Sequence, residues 1–117
     1  MLPRKRFEQL VCEAFDSLPD WVLDRIDNVG ICVEDESKDG LLGLYLGVPQ
    51  IERWGDEPLL PDKIVIYQKE IEEEAGSSEE TKLREEIFRT IWHEIAHHFG
   101  WEEDDLERME RKRGWLG

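Results

Sequence analysis

From Leu83 to Phe99 the apolar side chains Leu83, Ile87, Phe88, Ile91, Trp92, Ile95, Ala96 and Phe99 recur at three- and four-residue intervals. That spacing lays a wide apolar stripe along an α-helix of about five turns. Gly100 follows where the helix should stop, since glycine readily takes the left-handed conformation that closes a helix end. At the other end, Ser78 or the S-x-x-E pair Ser77 and Glu80, which has the form of a capping box, predicts a start near residue 78. A helix with so apolar a face must be covered by whatever else the chain makes.

Two kinds of cover are legible. Phe7, Leu10, Val11, Ala14, Phe15 and Leu18 form a second helical stripe, ended at Pro19. Val29, Ile31 and Val33 alternate with Gly30, Cys32 and Glu34, the period of a strand. After the polar turn from Asp35 to Gly40, the run Leu41 to Val48 reads as a second strand, expected to pair with the first as a hairpin. Residues 49–62, with three prolines, Trp54 and Gly55, read as an irregular loop that could lie over a cleft. Ile64 to Tyr67 is the third strand, followed by an acidic stretch, Glu70 to Glu74, to which no element is assigned. A last helix is expected from Asp104 or Asp105 through Leu106 and Met109 to Arg113, its closing basic residues favourable at the negative end of the helix dipole. The expected fold class is therefore α+β: a small sheet of three to four strands packed against the long helix, an N-terminal helix and a short C-terminal helix. At 117 residues the chain is expected to form a single domain, 1–117.

Charge narrows the partners. Fifteen Lys and Arg against 29 Asp and Glu give a net charge of −14, with the bases gathered mainly at Arg4-Lys5-Arg6 and Arg111-Lys112-Arg113. Nucleic acid is not expected, because phosphate binding draws its affinity from clustered cations. A negative field steers basic peptides or proteins toward the chain, although acidic surfaces also serve solubility alone. Cys12 and Cys32 form no CxxC pair and are expected as buried, reduced thiols. No apolar run has the length of a signal h-region or a membrane span, so a cytoplasmic protein without membrane contact is expected.

The long helix also carries His93-Glu94-Ile95-Ala96-His97. Residues four apart lie about 6 Å apart along a helix axis and about 40° around it, so His93 and His97 project side by side and can reach one ion. Zinc takes imidazole nitrogen readily, and a catalytic zinc site adds a third protein ligand while keeping a position for water. Glu94 stands next to the first ligand, where it can take a proton from a metal-activated water. His98 points about 100° away from His97 and reads as a packing or supporting residue rather than a ligand. Tyr45 and Tyr67 are weighed as donors to a developing oxyanion, against the commoner role of buried strand tyrosines in packing. Trp92 and Trp101 flank the motif and are weighed as cleft walls against core.

The string H-E-I-A-H-H-F-G at 93–100, followed by acidic residues, resembles the small bacterial zincin-like metallopeptidases, a minimal relative of the metzincins. Further similarity lies in the Phe7 to Leu18 segment, in Leu44-Tyr45-Leu46-Gly47 and in Ile64 to Tyr67. The resemblance implies an α+β fold with a small sheet on the motif helix. It also implies a third ligand ten residues after the first histidine, which here is Glu103, where metzincins place histidine. Several acids compete in Glu102-Glu103-Asp104-Asp105. Asp104, with Glu107 three residues on, has the form of a helix N-cap, which leaves Glu103 as the expected third ligand and Asp104 as the alternative. Met109 lies in a helical pattern, so no Met-turn is assigned.

The expected function is zinc-dependent peptide-bond hydrolysis with Glu94 as general base, acting on a peptide or protein substrate for which the charge favours basic sequences. The alternative is a non-catalytic zinc-stabilised binding module. A zinc-dependent endoribonuclease ranks lower, because the family with that ligand spacing lacks an acid beside its first histidine and ends in histidine. A deformylase-like amidase is disfavoured because Ile31-Cys32-Val33 does not resemble its cysteine motif.

Overall fold

The apolar stripe of the long helix organises everything placed around it. In the computed structural model, which describes residues 1–26, 28–47 and 61–99, this helix is α4 (Glu80–Phe99). Before it come α1 (Arg4–Asp16), α2 (Asp20–Arg25), β1 (Val29–Glu34), β2 (Gly43–Leu46), β3 (Asp62–Tyr67) and α3 (Gln68–Ala75). The fold is α+β, with helices packed on one face of a three-stranded mixed sheet. Leu83, Ile87, Phe88, Ile91, Trp92 and Ile95 of α4 are buried with Phe7, Leu10 and Val11 of α1, Val22 of α2 and Ile64 and Ile66 of β3. Trp92 belongs to this core, edge-to-face with Trp21 at 6.3 Å. Among the described residues no helix is long and apolar enough to cross a membrane. The proposed C-terminal helix and the loop from residue 49 to 60 lie outside the described residues.

The expected hairpin does not form. The strand order is β1-β3-β2, with β3 parallel to β1 and antiparallel to β2. The physical reason is visible in β3, where Ile64, Val65 and Ile66 are all buried. A strand apolar on both faces belongs in the middle of a sheet, whereas the alternating β1 suits an edge. β1 and β2 are thus joined to each other only through β3.

Two helices escaped the periodicity reading. Pro19 does not simply end α1 but stands at the N-cap of α2. The acidic stretch is α3, closed by Gly76 at φ 66°, the left-handed conformation that glycine adopts without strain. Its burial is largely polar, which hides it from a search for apolar stripes. Gln68 donates to the Leu2 carbonyl at 2.7 Å, and Glu72 accepts from the Leu2 amide at 2.9 Å and from Ser78 Oγ at 3.1 Å. Glu70 accepts from the Ser37 amide at 3.0 Å. Each buried carboxylate is thereby supplied with donors.

Two smaller expectations also change. Ser77 Oγ accepts from the Glu79 amide, and the Glu80 carboxylate goes to Arg6 rather than back to residue 77, so no capping box closes. Cys12 is exposed, because it lies one step beyond the Phe7, Leu10, Val11, Ala14 stripe of α1; Cys32 is half-buried, and both thiols are free.

Candidate metal centre

On α4, Glu86, Thr90, His93 and His97 follow one another at intervals of four, three and four residues and so share a face. The imidazoles of His93 and His97 have centroids 6.3 Å apart and planes inclined by 27°. His93 and Glu94 are half-buried and His97 is exposed. Two near-parallel imidazoles on one helical face suit a zinc ion as two of its ligands, and the carboxylate beside them suits a base.

β2 completes the surroundings. Tyr67 N–H donates to the Leu42 carbonyl at 3.0 Å, so Leu42 turns its backbone toward β3. Alternation then turns the backbone of Gly43 and Tyr45 outward, to the edge of β2 that pairs with no other strand among the described residues. Glu94 is held at this edge by the Tyr45 backbone. Burial raises the Glu94 pKa above the ordinary carboxylate value, opposed first by that backbone hydrogen bond and then by His97 and His93. Gly43 is required by the close approach of β2 to α4: a Cβ there would lie 2.7 Å from Thr90 Cγ2 and 3.1 Å from the Val65 carbonyl. Between residues 41–43 and α4 runs a cleft of about 320 Å³, bounded on the helix side by Glu86, Arg89, Thr90, His93 and Glu94.

Tyr45 directs its side chain away from the paired imidazoles. Its hydroxyl donates to Asp62 Oδ2 at 2.8 Å, and its ring stacks on His98 at 3.7 Å with planes 13° apart. His98 Nε2 lies 3.9 Å from the same Asp62 oxygen. Burial, then the hydrogen bond to Asp62, raises the Tyr45 pKa, so the hydroxyl keeps its proton and spends it on Asp62. His98 is thus a packing residue that joins the last turn of α4 to β2. Tyr67 alternates with Ile66 and faces away from α4. Neither tyrosine hydroxyl is offered to the metal face.

Glu103, Asp104 and Trp101 lie outside the described residues, among which no third His, Cys, Asp or Glu joins the two histidines in a metal-binding group. Sequence reasoning missed the Tyr45 backbone, Asp62 and the cleft at Glu86. The first could have been found only from the strand order, and the last from the seven-residue spacing of Glu86 and His93.

Comparison with known proteins agrees with this architecture. The sequence model of the zincin-like metallopeptidases matches residues 26–113, three-quarters of the chain, and the protein belongs to that family. It is a family of zinc-dependent hydrolases. Among solved structures, a conserved hypothetical protein from Thermo thermophilus is similar, with a TM-score of 0.59 and 25% identity over 84% of this chain and 94% of that one. No curated protein matches.

Proposed function

We propose that this protein hydrolyses peptide bonds, with zinc held by His93, His97 and a carboxylate from the following segment, Glu103 before Asp104, and with Glu94 as general base. Bound zinc supplies Lewis acidity, lowering the pKa of a water and polarising the carbonyl under attack. The observation that carries the reading is the backbone bond from Tyr45 to Glu94, because it joins the base to the outer edge of β2.

An extended peptide can add to that edge through the outward N–H and C=O groups of Gly43 and the outward C=O of Tyr45. Its scissile bond would then lie beside Glu94. The half-buried carboxylate, its pKa raised by desolvation, is suited to accept a proton from water and return it to the leaving amine. Basic substrates are favoured by the overall charge of −14. The family membership, the paired imidazoles and this edge support the reading together.

Glu94→Gln tests it. Zinc content should stay at the wild-type level while turnover of a peptide library falls by about 10²- to 10⁴-fold, the contribution of a positioned base. Turnover retained in the variant removes Glu94 from the mechanism. Zinc bound without turnover in the wild type favours a binding module.

A further inference from the structure

A peptide laid along β2 presents alternate side chains to opposite faces of the strand. One set enters the cleft between residues 41–43 and α4. That cleft is built of unlike walls. Leu41 and Leu42 line one side, and Glu86 stands on the other, seven residues before His93 and so about 10 Å along the helix axis. Among the described residues the Glu86 carboxylate accepts no hydrogen bond and lies in no ion pair; Arg89, which also bounds the cleft and lowers the Glu86 pKa, has a further interaction of its own.

We propose that the cleft takes a lysine or arginine side chain of the substrate, its apolar stem against Leu41 and Leu42 and its cationic end at Glu86. Long basic side chains bury their methylenes on apolar surface while keeping the charge on a polar partner. An apolar side chain would instead cover Glu86 without neutralising it, which desolvation penalises. An acidic one would add a like charge. The position of Glu86 has an independent sign of strain: burial, then Glu74, raises its pKa, and Arg89 opposes them only in part. A cation in the cleft relieves that penalty. Thr90, between Glu86 and His93 on the same face, spends its hydroxyl on the Glu86 carbonyl at 2.9 Å and so does not donate to the Glu86 carboxylate.

This inference rests on β2 being the peptide-binding edge, and its test separates the two. Capped peptides differing at one position, lysine, norleucine or glutamate, are titrated into the zinc-loaded full chain carrying Glu94→Gln, which holds substrate without consuming it. The amide signals of Gly43 and Thr90 report occupancy of the cleft. The lysine peptide should bind about ten-fold tighter than the norleucine peptide, the scale of a hydrogen bond to a charged group. Adding Glu86→Gln should erase that difference, weakening the lysine peptide and binding the norleucine peptide no more weakly than before; Glu86→Lys should turn the preference toward glutamate. A lysine preference that survives Glu86→Gln, equal binding of all three peptides, or no binding of any overturns the proposal. Turnover by the otherwise unaltered chain reads separately. Lysine preference that depends on Glu86 without any hydrolysis sinks the hydrolytic reading and keeps the cleft. Hydrolysis indifferent to the residue in the cleft does the reverse.

Discussion

The two halves of α4 share one apolar stripe but have opposite outer faces. In the first half Glu80 and Arg84 are tied to α1: Arg6 forks onto Glu80 at 2.9 and 2.6 Å, and Arg84 reaches Glu13 at 3.3 Å. In the second half the polar side chains turn to β2 instead, through the Tyr45 backbone at Glu94 and the stack of His98 on Tyr45. One half fixes the helix in the molecule. The other carries the two imidazoles, His97 exposed and His93 half-buried.

The difference can be broken at either end. His93→Ala and His97→Ala should each abolish stoichiometric zinc binding and turnover. In the metal-free state His97→Ala, at an exposed position, should change stability by no more than about 0.5 kcal/mol. Ile87→Ala, in the other half and fully buried, should cost about 2–5 kcal/mol in urea unfolding while a folded fraction still binds zinc. Equal effects of the two on metal-free stability would erase the contrast. Gly43→Ala should cost about 1–3 kcal/mol, because the added methyl meets Thr90 and the Val65 carbonyl; it should also weaken peptide binding by moving β2 off α4. Tyr45→Phe removes the bond to Asp62 and should cost about 1 kcal/mol by chemical denaturation, yet leave zinc bound, since Glu94 is held by the backbone of that residue and not by its hydroxyl.

The smallest effect belongs to Arg6→Ala. The Arg6 hydrogen bond lowers the Glu80 pKa below its ordinary 4.5, so the pair's contribution is present above that value and fades as pH falls through the lower, folded-state value. The variant should unfold at a slightly lower midpoint at pH 7 and lose that part of its acid dependence. Both groups are only half-buried, so added salt should shrink the difference.

The sequence announced α4 and the histidine pair because a long amphipathic helix writes its period over many residues. β1, β2 and β3 were legible as strands, but not their order, since pairing depends on which strand is apolar on both faces. α3 was hidden because Gln68, Glu70 and Glu72 are buried by hydrogen bonds rather than by hydrophobicity. At the site, His93, Glu94 and His97 could be read as a set from spacing on one helix. Tyr45 could not, because what it brings to Glu94 is a backbone group whose direction depends on sheet register and not on residue type.

The central place of β3 also bears on how the molecule assembles. With no hairpin between β1 and β2, neither strand has a partner among the described residues until 62–67 are made, and α4 follows them in the chain. Non-local pairing of this kind is slow compared with forming a helix. During synthesis, then, the edge that would hold a peptide and the helix bearing His93 and Glu94 stay apart until most of the chain exists. A partly folded copy has no assembled site, so the proposed hydrolysis would await a nearly complete fold.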